Sequence, residues 1–168
     1  MEPSLAKKIV SSLKEAGINF ITYVPETRLS QILPFVQEDN FFRLVPVASE
    51  AEGVSIAAGA SMGGRPSAAY MEGPGVWVSS YNLLTVGIRY GVPILLIVGY
   101  VGSLEDKRNT FLYVEYGIKM KAQLDSLGLQ YEILRDGDNL DTKIKDAVRM
   151  MNALKQPVAL LFTGEFTI

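Results

Sequence analysis

Glu50 stands where an apolar run, 43–47 (RLVPV), gives way to a segment crowded with small residues, VASEAEGVSIAAGASMGG at 47–64. A carboxylate at the mouth of such a segment can hold or move a proton. The chain of 168 residues has no Cys and no His, so acid–base chemistry has to use carboxylates, Lys, Tyr or a cofactor. The same absence excludes the usual zinc sites, Cys nucleophiles, Ser-His-Asp triads and haem ligation. Glu50, Val54, Ala57 and Ser61 recur at helical spacing on one face, whereas Glu52 points about 160° away from Glu50. The two acids therefore have different jobs. A first-turn glutamate is favoured by the helix dipole by about 0.3–1 kcal/mol, which is the reading for Glu52; for Glu50 a functional carboxylate stays open beside it. Gly53, Ala57, Ala58, Gly59, Ala60, Ser61, Gly63 and Gly64 cannot fill a core by their own volume, so a partner or a ligand must approach that helix closely. Ser49 is suited to cap it.

The elements that would position these residues alternate regularly. Short β-branched and aromatic runs at 19–24, 43–47, 67–71, 93–99, 130–134 and 157–162 predict strands. Helical periodicity falls at 3–16, 28–38, 50–63, 78–90, 117–127 and 140–154. This pattern predicts a three-layer α/β/α domain around a six-stranded, mostly parallel sheet. Ser4 is suited to cap the first helix, Gly17 to end it and Gly128 to close the fifth. In the last helix Ile144, Val148 and Met151 form one stripe, with Lys143, Lys145, Asp146 and Arg149 left for solvent. Segment 102–116 (GSLEDKRNTFLYVEY) follows neither period and reads as a long loop after a buried strand, where open sheets bind ligands. Without internal repeat or linker, residues 1–168 read as a single domain, large enough to bury roughly 70% of its unfolded surface.

Net charge is −2 and no basic run interleaves with aromatics, which argues against nucleic acid. Met-Glu-Pro-Ser-Leu-Ala-Lys-Lys lacks the order of a signal peptide, and Pro93–Gly99 is too short to cross a bilayer. The expectation is a cytoplasmic protein with no membrane partner. No G-x-G-x-x-G follows the first strand, against a Rossmann dinucleotide site.

The 50–59 segment resembles the pyrimidine-binding domain of thiamine diphosphate enzymes, in which a Glu ending the second strand opens a helix of the form E-x-x-x-x-x-x-A-x-G; Glu50, Ala57 and Gly59 match it. Gly17-Ile18 and Val24-Pro25, Gly73-Pro74-Gly75, and Gly91-Val92-Pro93-Ile94 resemble further family features in the same order. Leu124-Asp125-Ser126-Leu127-Gly128-Leu129-Gln130-Tyr131 resembles an L-D-x-L-G-x-x-Y motif. The strongest likeness is to the alpha subunit of sulfopyruvate decarboxylase and the N-terminal half of phosphonopyruvate decarboxylase.

The resemblance implies a pyrimidine-binding subunit of a heteromeric 2-oxo acid decarboxylase. Glu50 would be the catalytic carboxylate against the aminopyrimidine, with Pro25, Gly73, Pro74 and Gly75 around the cofactor. Glycine there would let the backbone pass close to the ring. Thr27 and Arg28 would face substrate, Arg28 holding a sulfonate, phosphonate or carboxylate; their other readings are a helix cap and a solvated first-turn Arg. Mg²⁺ and the diphosphate would be held by a beta subunit carrying G-D-G…N-N. Gly137-Asp138-Asn139 begins similarly, but no Asn pair follows, and Asp136-Gly137-Asp138 reads as a turn. Homo-oligomer contacts are also implied, with Val76, Trp77, Val78 and Tyr81 opening a helix that packs on a partner and Trp77 at an interface or in the core. The family usually has His before this Glu, where this chain has Ser49. That departure motivates an alternative, a non-catalytic regulatory or binding module that retains the fold.

Overall fold

The computed structural model describes all residues, Met1–Ile168. Along the chain run α1 (Pro3–Glu15), β1 (Phe20–Tyr23), a 3₁₀ turn (Ser30–Ile32) leading into α2 (Leu33–Glu38), β2 (Arg43–Pro46), α3 (Glu50–Met62), β3 (Ser67–Glu72) and α4 (Pro74–Asn82). A π-helical turn (Leu83–Ile88) then leads to β4 (Leu95–Gly99), α5 (Phe111–Leu127), β5 (Gln130–Leu134), α6 (Leu140–Leu154), β6 (Val158–Phe162) and a final 3₁₀ turn (Gly164–Thr167). All strand pairs are parallel, in the order β2-β1-β3-β4-β6-β5.

Alternate residues of the sheet feed two separate cores. Ala68, Tyr70, Leu95, Ile97, Leu160 and Phe162 meet α1, α2 and α6 on one face. Ala69, Met71, Leu96, Val98, Ala159 and Leu161 meet α3, α4 and α5 on the other. Burial on both faces is why the central strands read as unbroken apolar runs. The Ile144, Val148 and Met151 stripe is buried as its period predicts. No helix is long and apolar enough to cross a membrane.

The expected punctuation holds at Gly17 (φ +86°) and at Gly128 (φ +70°), both in the left-handed region that glycine adopts freely. It fails at Ser4, because α1 begins at Pro3 with Glu2 as its extended N-cap and no side-chain cap bond. Proline suits a first helical position, where no amide partner is needed. The same logic starts α4 at Pro74 rather than at residue 78. The helix expected from residue 28 begins only at Ser30, since the Arg28 and Leu29 amides turn back to the Glu26 carboxylate.

The largest correction concerns 102–116. Only the segment up to Thr110 is irregular, and α5 begins at Phe111. Its early turns lack an apolar period because Phe111, Leu112 and Ile118 face outward while Gly117 faces inward. Gly117 lies on Gly102 so closely that a Cβ on Gly117 would overlap the Gly102 backbone. The loop after β4 is thereby pinned to α5.

The small residues of α3 serve first to bring it against the chain's own sheet. A Cβ on Gly53 would lie 3.2 Å from Val47 Cγ2 and 3.3 Å from Thr22 Oγ1. Thr22 Oγ1 donates to the Gly53 carbonyl at 3.0 Å, and Ser67 Oγ donates to that of Ala57 at 2.7 Å. Gly59, in contrast, faces open space. Gly117→Ala is therefore expected to destabilise the chain by about 1–3 kcal/mol in urea unfolding through overpacking. Gly59→Ala, tested the same way, should leave stability unchanged or raise it by up to about 1 kcal/mol through helix propensity.

Candidate active site

The chain leaves β1 toward β2 on one side and returns to β3 on the other, so the strand order reverses between β1 and β3. In open parallel sheets the crevice at the carboxyl ends of such a pair is where ligands bind. Four segments converge there: the loop Pro25–Leu29 after β1, the first turn of α3 after β2, the end of β3, and the first turn of α4.

Ser49 Oγ accepts the Glu52 amide at 3.2 Å, and Glu52 Oε2 accepts the Ala48 amide at 2.7 Å. This reciprocal cap fixes the start of α3 and occupies the Glu52 carboxylate. Glu50, on the opposite side of the turn, is half-buried and reaches across to α4. A Cβ on Gly75 would lie 2.5 Å from Glu50 Cγ and 3.0 Å from its Cδ and Oε1. Gly75 is thus required by the Glu50 side chain itself, while a Cβ on Gly73 would sit tightly, 3.2 Å from Met120 Cε and 3.3 Å from the Gly99 carbonyl oxygen. Both glycines thus lie against other groups of the chain itself. Asn82 Nδ2 donates to Ser55 Oγ at 2.8 Å and locks α4 to α3 farther along.

Pro25 and Thr27 are exposed at the rim. Thr27 caps no helix, since the turn at Ser30 has Leu29 as its N-cap without a side-chain bond. Arg28 is not a solvated arginine: it is 3% exposed. Its guanidinium donates to the carbonyls of Thr167 at 3.1 Å and Arg108 at 2.9 Å, faces Asp106 Oδ1 at 3.7 Å, and stacks 5.3 Å from the centroid of the Tyr113 ring. Only Nε lacks a partner. Asp106 also accepts the Gly102 and Arg108 amides at 2.8 and 3.0 Å, so one buried ion pair ties three loops together.

Sequence reasoning missed Glu26, Tyr70 and Glu72. Glu26 accepts the amides of Arg28 at 2.5 Å and Leu29 at 2.6 Å and the hydroxyl of Tyr70. Glu72 ends β3 directly before Gly73 and is half-buried. The Glu26 carboxylate and the Glu72 backbone both border Gly99, where a Cβ would lie 3.6 Å from Arg28 Cβ, 3.7 Å from Glu26 Oε2 and 3.9 Å from Glu72 Cα. Burial pushes the Glu26 carboxyl up to about 7 against the pull of its two amide bonds. Burial also raises Glu72, opposed by Arg28 and reinforced by the charges of Asp106 and Glu50. A charged residue ending an otherwise apolar strand was the one signal in the sequence for Glu72.

Other singled-out residues lie elsewhere. Asp138 accepts the Arg135 amide at 2.7 Å and Asn139 caps α6, so Gly137-Asp138-Asn139 is a turn. Trp77 is half-buried, edge-on to Tyr116 at 5.5 Å, so part of its expected interface is met within the chain. The chain gathers no group of three or more His, Cys, Asp or Glu side chains able to hold a metal ion. An open carboxylate between two helix N-termini, flanked by close-packed glycine backbone, does fit a flat heterocycle bearing a ring nitrogen.

Comparison with known proteins accords with this arrangement. Residues 3–117 match the model of the thiamine pyrophosphate enzymes' N-terminal TPP binding domain. The chain is 28% identical over 93% of its length to sulfopyruvate decarboxylase subunit alpha of Methanococcus maripaludis, covering 92% of that protein. It is 29% identical over 96% of its length to the same-named subunit of Methanocaldococcus jannaschii, covering 94% of it. In structure it superposes on a 2-oxoglutarate:ferredoxin oxidoreductase from Magnetococcus marinus with a TM-score of 0.72 over 97% of its length. That similarity, at 18% identity and spanning 29% of the larger chain, concerns the fold alone.

The raised carboxyls set a pH dependence. The folded chain holds the Glu26 proton more tightly than the unfolded chain, so this contribution to stability is full below about 4.5 and is lost as pH rises toward about 7. Glu72 acts in the same direction. Urea unfolding measured from pH 4.5 to 8 should show stability falling across that window, and Glu26→Gln should flatten most of the fall.

Proposed function

This chain belongs to the thiamine pyrophosphate enzymes, and from that premise we propose that residues 1–168 form the pyrimidine-binding subunit of a two-subunit 2-oxo acid decarboxylase. The observation that carries the reading is the half-buried Glu50 carboxylate, laid over Gly75 with no hydrogen bond of its own in the chain. The substrate we assign is 3-sulfopyruvate, cleaved to sulfoacetaldehyde and carbon dioxide. The two same-named alpha subunits, matched over nearly their whole length, support that choice.

When bound, thiamine diphosphate supplies the electron sink for the pair left as carbon dioxide departs. Glu50 would hold the aminopyrimidine through its carboxylate at one ring nitrogen, where a half-buried carboxylate would supply proton handling. The backbone of Gly73, Pro74 and Gly75 and the ring of Pro25 border that site. Thr27 offers an exposed hydroxyl to substrate. Arg28 supplies positive charge for the distal anion, and direct contact requires the loop Ser103–Thr110 to move off its guanidinium. Ser49 takes no proton, since its hydroxyl caps α3. We assign Mg²⁺ and the diphosphate to a beta subunit, a reading that the subunit names of the relatives support. Val78 and Tyr81, 54% and 75% exposed on α4, support a subunit contact beside the site. We assign the complex to the cytoplasm.

Purified alone, the chain should release no carbon dioxide from sulfopyruvate. Mixed with its magnesium-binding partner, Mg²⁺ and thiamine diphosphate, it should do so. Glu50→Gln should lower that rate by about 10²–10⁴-fold, the range expected for a proton-handling group, with the urea midpoint unchanged. A Glu50→Gln complex as active as wild type would leave the fold in place and support a non-catalytic module instead.

A further inference from the structure

Decarboxylation of a 2-oxo acid to an aldehyde consumes one proton. The bond to the carboxylate breaks, carbon dioxide leaves, and the electron pair ends in a new C–H bond on the former carbonyl carbon. Some group has to deliver that proton, and the chain has neither His nor Cys.

The titratable groups around the crevice can be assigned one by one. Both Glu26 oxygens accept hydrogen bonds from the Arg28 and Leu29 amides, and one of them also takes the Tyr70 hydroxyl, so neither residue is free. Asp106 is occupied by two amides and faces Arg28. A guanidinium is too weak an acid for this step, which sets aside Arg28 and Arg108. Glu50 is committed to the ring nitrogen. Glu72 remains: it makes no hydrogen bond or ion pair in the chain, is half-buried, and immediately precedes the first turn of α4 on which Glu50 lies. Beside it Arg28 holds the one buried donor without a partner, Nε, so the unsatisfied polarity of the molecule's donors collects at this corner.

We propose that Glu72 is the acid that protonates the carbon from which carbon dioxide has left. The proposal rests on the decarboxylase reading above. Glu72 enters the step as the neutral acid and leaves it as the carboxylate, and its partly open position lets solvent return the proton. Its surroundings favour the neutral form: burial, together with Asp106 from the β4 loop and Glu50 from α3, outweighs Arg28 and Arg108, and Glu72 in turn raises Glu26 on the β1 loop. Tyr70, on the same strand, is held by Glu26.

The test uses the complete complex in two assays on the same substrate. One follows aldehyde; the other follows carbon dioxide release with ferricyanide present, two equivalents of which take up the electron pair so that no C–H bond need form. In Glu72→Gln, aldehyde formation should fall at least 100-fold while ferricyanide-coupled release stays within about threefold of wild type, a split that a general loss of structure would not produce. Glu72→Asp should restore part of the aldehyde rate. The high-pH fall of the wild-type aldehyde rate should be absent in Glu72→Gln. In the chain alone, the ¹³C-carboxyl resonance that disappears in Glu72→Gln should titrate above 4.5. Equal loss in both assays, no loss in either, or a carboxyl titrating at or below 4.5 would overturn the assignment while leaving the Glu50 reading intact. A wild-type complex that releases no carbon dioxide, or a Glu50→Gln complex that keeps both rates, would remove the reading and the assignment together.

Discussion

The side chain of Glu50 lies against the α-carbon of Gly75, and the whole functional corner depends on that contact. It is possible only because Gly75 has no Cβ, which would stand 2.5 Å from Glu50 Cγ. Two helix N-termini are brought face to face as a result, one capped by Ser49 and Glu52, the other opened by Pro74. Their amide ends favour negative charge. A carboxylate placed between them is supported electrostatically without being consumed by a bond inside the chain.

The rest of the corner follows from how its charge is balanced. Three acids, Glu26 after β1, Glu50 opening α3 and Glu72 ending β3, come from segments that converge on this corner, and burial pushes the carboxyls of Glu26 and Glu72 upward. One buried arginine is set against them, with Asp106 at 3.7 Å. Because that guanidinium also bonds the Arg108 and Thr167 carbonyls, the loop after β1, the loop after β4 and the last turn of the chain are coupled. Leaving either charge alone in such a site would cost several kcal/mol, roughly 3–5 for a buried pair broken on one side. The loops are therefore held by electrostatics where packing is thin, and by the Gly102–Gly117 approach where it is tight.

The architecture was legible because each covering helix and each buried strand carries its own period. Glu50 was legible because it marks a junction of two such periods. The remaining acids were not, since their proximity is a property of strand order: β1 and β3 are neighbours although β2 lies between them in sequence. Nothing local to Glu26 or Glu72 signals the other. The start of α5 was missed for a related reason, as its outward apolar residues and inward Gly117 invert the pattern that periodicity detects. Arg28 reads as a surface residue by type, and only segments far along the chain, the Asp106 loop, Tyr113 and Thr167, enclose it.

A chain without imidazole can still keep a carboxyl protonated by raising it, and here burial, reinforced by neighbouring acids, does so. That choice has a structural consequence. Each raised carboxyl opposes folding at neutral pH, so the site has to be carried by a body whose stability comes from elsewhere. Here the two cores on either face of the sheet, buried from Ala6 to Phe166, provide it, and the acids are confined to strand ends where their desolvation does not break a hydrophobic layer. Tyr70 illustrates the boundary: its ring belongs to the α1–α6 core, while its hydroxyl reaches Glu26 in the crevice. The same strand thus anchors the body and tunes the site, which is why the crevice can hold unpaired acid without loosening the sheet beneath it.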